Sequence, residues 1–168
     1  MGAGAEPIGI TTTIPVEAVF AAGLRPVDLN NAFVSDPDRE RLLDAALQEG
    51  FPQNSCAWIK GIFGAVVSEG KPARVIGVVR GDCSGTEVLL EALAARGVEV
   101  TPFSFPYPPD RQGLEREISR LCEILGTSID AAAEWLERLS AARRSLEEVD
   151  RLCWRDDRVT GFENHLWL

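Results

Sequence analysis

The sequence predicts an α/β protein: a Rossmann-like parallel sheet of about four strands with helices on both faces and a helical C-terminal arm. Three observations predict it. Short apolar runs of strand composition alternate with amphipathic stretches of helical length, the pattern of successive βαβ units. One run, Arg74-Val75-Ile76-Gly77-Val78-Val79, is apolar almost throughout, as a central strand covered on both faces must be. Beyond Pro108-Pro109 the strand runs cease and charged helical sequence takes over.

Taken in order, Ile8 to Thr12 is β-rich and opens the sheet. Pro15 to Ala22 has helical composition, with proline suited to a first turn and Gly23 to the position just past the end. Arg25 to Leu29 reads as a second strand. Asp36-Pro37 opens a helix running to Glu49, with Leu42, Leu43, Ala46 and Leu47 on one side, and Gly50 stops it. The next helix runs from about Ala57 to Ser68. The strand at Arg74 to Val79 leads into a tight loop, Gly81-Asp82-Cys83-Ser84-Gly85-Thr86. A helix from Glu87 to Arg96 then turns Val88, Leu89 and Leu93 inward and ends at Gly97, and Val98 to Phe103 is the following strand.

Helices are expected from about Gln112 to Leu125 and Ser128 to Leu152, the second so charge-laced that it reads as a solvated connector. Residues 1–110 therefore form the α/β domain and 111–168 the arm. The closing run, Val159 to Leu168, stops within an apolar stretch. The expectation is that the arm leads to a further domain, and that Phe162, Leu166, Trp167 and Leu168 are exposed where that domain would pack.

Hydrophobic residues are 45% and charged residues 26%, which is globular composition. With 26 acidic against 17 basic residues and a net charge of -9, the chain lacks the clustered Lys and Arg of a nucleic-acid footprint. An anionic small molecule is not excluded, because a local site can oppose the global charge. No apolar run approaches the roughly 20 residues of a membrane helix, and the first residues do not read as a signal peptide. These features point to a cytoplasmic protein with no membrane and no nucleic-acid partner. In that compartment the four cysteines are thiols or metal ligands rather than structural disulfides.

Two of them stand where ligands gather. Cys56 closes the loop Phe51-Pro52-Gln53-Asn54-Ser55 and precedes a helix, whose N-terminus favours negative charge. Cys83 lies in the loop leaving a buried parallel strand, and open α/β sheets bind ligands outside the carboxyl ends of their strands. Ser84, Gly85 and Thr86 let backbone N–H groups approach a bound anion or cluster sulfur. On the residues alone, ligand and small packing residue remain alternative readings for both thiols, since there is no C-x-x-C spacing. Cys122 and Cys153 lie in helices and read as packing residues. His165, the one histidine, reads as a hydrogen-bonded structural residue. Trp58 reads as packing beside the site. Lys60 reads as a surface lysine, with neutralisation of a bound cluster's or ligand's charge as the alternative. Arg138, Arg143 and Arg144 read as solvated salt-bridge material.

Four segments taken together carry a family resemblance: Ile8 to Glu17 (IGITTTIPVE), Ala21 to Asn31 (AAGLRPVDLNN), Phe51 to Gly61 (FPQNSCAWIKG) and Gly81 to Thr86 (GDCSGT). They resemble the 2-hydroxyacyl-CoA dehydratase D-component family, which includes 2-hydroxyglutaryl-CoA dehydratase subunits and is related to benzoyl-CoA reductase subunits. The Val159 to Leu168 segment resembles a stretch that in the family continues into a further domain.

The resemblance implies paired α/β domains holding a [4Fe-4S] cluster through three cysteines. It implies an ATP-hydrolysing activator iron–sulfur protein that injects one low-potential electron. That electron reduces the thioester carbonyl of a 2-hydroxyacyl-CoA to a ketyl radical, so that an unactivated hydroxyl can leave. Motif match carries over Cys56 and Cys83 as cluster ligands, Gly85 and Thr86 as cofactor-binding residues, and Ser84 as a catalytic residue near the cluster. The third ligand is expected outside this chain, and a second dehydratase subunit or domain and an acyl-CoA substrate complete the partners. Gly85 stands where the family more often has Asn, and Glu87 where it more often has His, so substrate chemistry can differ. The alternatives are a double-cubane-cluster reductase relative, a non-catalytic scaffold domain of the same fold, and a flavodoxin-like binding module without metal.

Overall fold

The computed structural model describes residues 4–70 and 72–167. The elements follow in the order β1 (Pro7–Ile10), α1 (Val16–Ala21), β2 (Arg25–Asp28), α2 (Leu29–Ser35), α3 (Arg39–Gln48) and α4 (Ala57–Glu69). Then come β3 (Arg74–Arg80), α5 (Gly85–Ala94), β4 (Glu99–Ser104), α6 (Arg111–Ile124), α7 (Ile129–Trp154) and α8 (Gly161–Trp167). The four strands form one parallel sheet in the order β2-β1-β3-β4. The expected Rossmann-like architecture with a helical arm is therefore the one observed. Among the described residues no helix is long and apolar enough to cross a membrane.

Strand alternation explains the two layers. On β3, Ile76 and Val78 point into a core shared with Ile8, Val19, Phe103, Leu121 and Cys122, under α1, α6 and α7. Val75 points the other way, into a core with Leu29, Ile62, Phe63, Val66, Leu89 and Leu93, under α2, α4 and α5. A strand buried on both faces has no polar position to spare, which is why β3 was legible as an unbroken apolar run.

Several boundaries differ from the sequence reading, each for a local reason. The second strand stops at Asp28, whose carboxylate accepts from the backbone N–H of Asn30 at 2.8 Å and of Asn31 at 3.4 Å. That cap starts α2, a helix the sequence reading missed because Asn30 and Asn31 are weak helix formers. The next helix begins at Arg39 rather than Asp36, because Asp38 is its cap and accepts from Arg41 N–H at 3.2 Å. Helix α5 begins at Gly85, inside the expected loop. Its buried stripe is Thr86, Leu89, Leu90 and Leu93, and Val88, expected inward, is 56% exposed. Gly97 ends the turn after α5 with φ 80°, a conformation costly for any residue with a Cβ.

The long α7 is not a free connector. Its first half docks on α1, with Trp135 stacked on Phe20 at 5.1 Å between ring centroids and Ala132 buried. Arg143 forms an ion pair with the buried Glu17 of α1. Arg138 lies 4.7 Å from the Trp135 ring centroid, a cation–π contact. Of the three arginines read as solvated salt-bridge material, Arg143 makes such a pair, though to a buried partner, and Arg138 packs on a ring. At the far end Phe162 and Trp167 are exposed, as is Trp154, while Leu166 is half-buried. Leu168 lies outside the described residues.

Helix α4 presses onto α3 at Gly64, where an added Cβ would run into the Leu42 carbonyl. Backbone cannot yield there as a side-chain tip would. Gly64→Ala should cost about 1–3 kcal/mol, the usual cost of overpacking, read as a lower urea midpoint. An unchanged midpoint would show that the two helices separate freely.

Candidate functional site

The sheet order creates a crevice. From β1 the chain moves outward to β2, then crosses back to β3 on the other side of β1, so the connections diverge between β1 and β3. Ligands of open α/β sheets bind at such a switch point, outside the strand carboxyl ends. A cleft of about 280 Å³ opens there. It is lined by Thr11 and Thr12 after β1, Asn30 of α2, Cys56, Trp58, Ile59 and Ile62 at the start of α4, Asp82, Cys83 and Thr86 at the β3–α5 junction, and His165 of α8.

Cys56 is the N-cap residue of α4, and its side chain makes no capping hydrogen bond. The N–H groups of the helix's first turn therefore have no intrahelical partner, and they point toward whatever sits at that end. The loop before it is held in shape. Ser55 donates from its hydroxyl to Pro52 O at 2.6 Å, and the Lys60 ammonium donates to Gln53 O at 2.8 Å. Lys60 is 7% exposed, so the surface-lysine reading is corrected: its long stem is buried and its charge braces the cysteine loop.

Cys83 meets the second helix end. The Gly85 N–H donates to the Cys83 sulfur at 3.3 Å, and the Thr86 N–H to the Cys83 carbonyl at 3.1 Å. The sulfur thus does for α5 what an N-cap oxygen ordinarily does, while the Ser84 side chain makes no cap bond. Thr86 is buried in the cleft wall; Ser84 is exposed and, with Gly85, lies outside the cleft lining. Gly85 reaches the site only through its N–H. Both cysteines are exposed free thiols.

A polar chain ties the three layers of the rim together. Thr11 accepts on its hydroxyl from Val78 N–H at 3.2 Å. Asn30 donates from Nδ2 to Thr11 O at 2.7 Å and to the Asp28 carboxylate at 3.0 Å. The Trp58 indole N–H in turn donates to Asn30 Oδ1. The start of α4, and with it Cys56, is thereby referenced to the end of β1. None of these roles was assigned from sequence, although Thr11, Asn30 and Trp58 all fall within the resembling segments.

His165 is the clearest omission. Its ring stands edge-on to Trp58, with centroids 5.8 Å apart, and it lines the cleft. Its Nε2 is enclosed and has no hydrogen-bond partner among the described residues, so the expected hydrogen-bonded role is not seen at that atom. No local signal links residue 165 to residue 58; only the return of α8, where Asn31 donates to Leu166 O at 3.3 Å, brings them together.

Cys122 is in the core, where burial pushes its thiol up from the ordinary range and nearby Glu123 adds to the effect. Cys153 is half-buried on α7. Among the described residues no group of three or more His, Cys, Asp and Glu side chains is placed to hold a metal ion.

A family model described as 2-hydroxyglutaryl-CoA dehydratase, D-component, matches residues 11–168. No curated protein and no solved structure matches the chain.

Two outcomes are expected of this geometry. In an iodoacetamide time course at mildly alkaline pH, Cys56 and Cys83 are alkylated first and Cys122 last, because only the thiolate attacks and burial disfavours it at Cys122. Peptide mapping that finds Cys122 modified as fast as Cys83 contradicts the placement. Asn30→Ala should lower stability by about 1–2 kcal/mol, because the buried Thr11 carbonyl loses its donor, and should speed amide hydrogen exchange over residues 56–60.

Proposed function

Because the chain belongs to the 2-hydroxyglutaryl-CoA dehydratase D-component family, we propose that its cleft holds an iron–sulfur cluster, of [4Fe-4S] type, through Cys56 and Cys83. In this reading the chain is part of a lyase that dehydrates a 2-hydroxyacyl-CoA. The observation that carries it is the convergence of two thiols on one switch-point cleft from two different crossovers, each at the start of a helix.

The donor set suits a thiolate-bound cluster in kind. Cluster-bearing sites need thiolate ligands and N–H groups aimed at sulfur. Here the Gly85 N–H already donates to the Cys83 sulfur, and the first turn of α4 offers further donors beside Cys56. In number the set is incomplete, since the described residues offer no third ligand at this place. The third is assigned to a second dehydratase domain or subunit.

Held by Cys56 and Cys83, such a cluster would supply low-potential one-electron reduction of a thioester carbonyl, the chemistry that lets a 2-hydroxyl leave, with an ATP-hydrolysing activator iron–sulfur protein as the electron source. The chain's own residues set the conditions for this. The α4 and α5 N-termini place the positive ends of two helix dipoles at the cleft, where added electron density is favoured. Ile59 and Ile62, both buried, make one side of the cleft apolar, and electrostatic contacts against that side are screened less than in water. Lys60 holds the Phe51–Cys56 loop, keeping the Cys56 sulfur in place. Residues 1–110 serve as the cluster-binding domain and 111–168 as the arm toward the partner, in the cytoplasm.

Anaerobic reconstitution with iron and sulfide tests the reading. The chain should take up iron, develop the broad visible absorption of an iron–sulfur centre, and lose it readily on dilution or exposure to oxygen, since an incomplete thiolate set leaves iron positions open. Cys56→Ser and Cys83→Ser should each remove most of the bound iron, and Cys153→Ser should not. Equal iron in all variants, or none in the unaltered chain, would favour a non-catalytic scaffold of the same fold.

A further inference from the structure

Among the described residues Glu17 and Lys60 are the two buried charged side chains. Glu17 has its counter-ion in Arg143. Lys60 has no carboxylate within ion-pairing distance among the described residues. Its ammonium donates to a neutral group, the Gln53 carbonyl at 2.8 Å. A buried cation is ordinarily paired with an anion, because one carbonyl does not replace the hydration it gives up.

The helix fixes where that charge lies. Lys60 N–H donates to the Cys56 carbonyl at 3.1 Å, so the two residues stand one turn apart on the same side of α4. A helical side chain leans over the turn on its N-terminal side. Here it reaches back to Gln53, three residues before Cys56, and the ammonium rests against the loop that presents the thiol. The free N–H groups at the start of α4 add partial positive charge at the same end, and Cys56 caps none of them. Two independent sources of positive charge thus meet at Cys56, in a chain whose net charge is -9.

We infer that Lys60 is the counter-charge for the anionic group held at Cys56, and that it raises the reduction potential of that group. This rests on the reading of the cleft as a cluster site. Cysteine ligates as the thiolate, and one-electron reduction adds one more negative charge with no bond made or broken. A fixed cation beside the site favours the form that carries the added charge. The electron comes from the activator in the proposed reaction and from dithionite in the test.

The full chain and its variants are reconstituted anaerobically with iron and sulfide, titrated with dithionite against redox dyes, and assayed for iron. Lys60→Gln keeps an N–H donor for the loop and removes the charge. It should shift the one-electron equilibrium about tenfold toward the oxidised form, the order expected of a unit charge at an effective dielectric of about 20. That is a potential about 59 mV more negative. Lys60→Arg, which keeps the charge, should stay near the unaltered chain. Arg144→Gln, which removes an exposed positive charge from α7 under the other face of the sheet, should leave the potential in place. Loss of iron from Lys60→Gln but not from Lys60→Arg also supports the charge role. Loss from both shows a brace alone and overturns it. An unmoved potential in Lys60→Gln, or an equal shift in Arg144→Gln, overturns this inference and leaves the cluster reading standing. No iron in the unaltered chain sinks both.

Discussion

The cleft exists because β1 ends before β3 does. Ile10 pairs with Ile76, and β3 runs on to Arg80 with no strand beside it on that flank. A buried ladder cannot simply stop, because each unpaired N–H in the interior carries a desolvation penalty. Thr11 resolves the problem: its backbone N–H donates to Ile76 O, and its hydroxyl accepts from Val78 N–H in place of the missing strand. The ladder is thus closed by a side chain, leaving open space above it. Two cleft residues are positioned directly by that closure, Asn30 on Thr11 and Trp58 on Asn30.

Into that space the crossovers deliver two helix starts. The chain as a whole is acidic, with net charge -9, yet its cleft receives the partial positive charge of α4 and α5. Each helix leaves its usual capping oxygen out. Cys56 occupies the cap of α4 without bonding to it, and at α5 the Cys83 sulfur accepts from Gly85 in place of a Ser84 hydroxyl. Orphan N–H groups at a helix start are ordinarily satisfied by Ser, Thr, Asp or Asn, as Asp28, Asp38, Asp110 and Ser128 do elsewhere in this chain. Helix α1, with Pro15 at its cap, also lacks such a bond, but the starts of α4 and α5 are the two that bring thiols to one cleft.

Much of the fold was legible because burial on both faces and helix amphipathicity leave direct marks in composition. β3, α3, α5 and α6 lay close to where the pattern put them. Errors arose where a single side chain outweighed the average. Asp28 converted Leu29 from strand end to helix start, against the weak propensity of the Asn pair that follows. Val88 looked like a core residue by hydrophobicity, but the stripe through Leu89, Leu90 and Leu93 turns it to solvent. The polarity of α7 was real, and its docking was invisible because it rests on Trp135 meeting Phe20, more than a hundred residues earlier.

By itself the sequence determined the class of fold, the order of its strands and the identity of the two thiols at helix starts. These follow from periodicity, helix stop signals and local motifs, which act over a few residues. Tertiary structure alone decided which side chains share the cleft. Thr11, Asn30, Trp58 and His165 come from four separate elements, and what joins them is strand order and the return of α8. Lys60 shows the same division: its type and position were plain, but whether its charge met water, a ligand or the Gln53 carbonyl depended on how the preceding loop folds back over α4. Local pattern specifies what a segment becomes, whereas contact between distant segments is set by packing, which no single segment encodes.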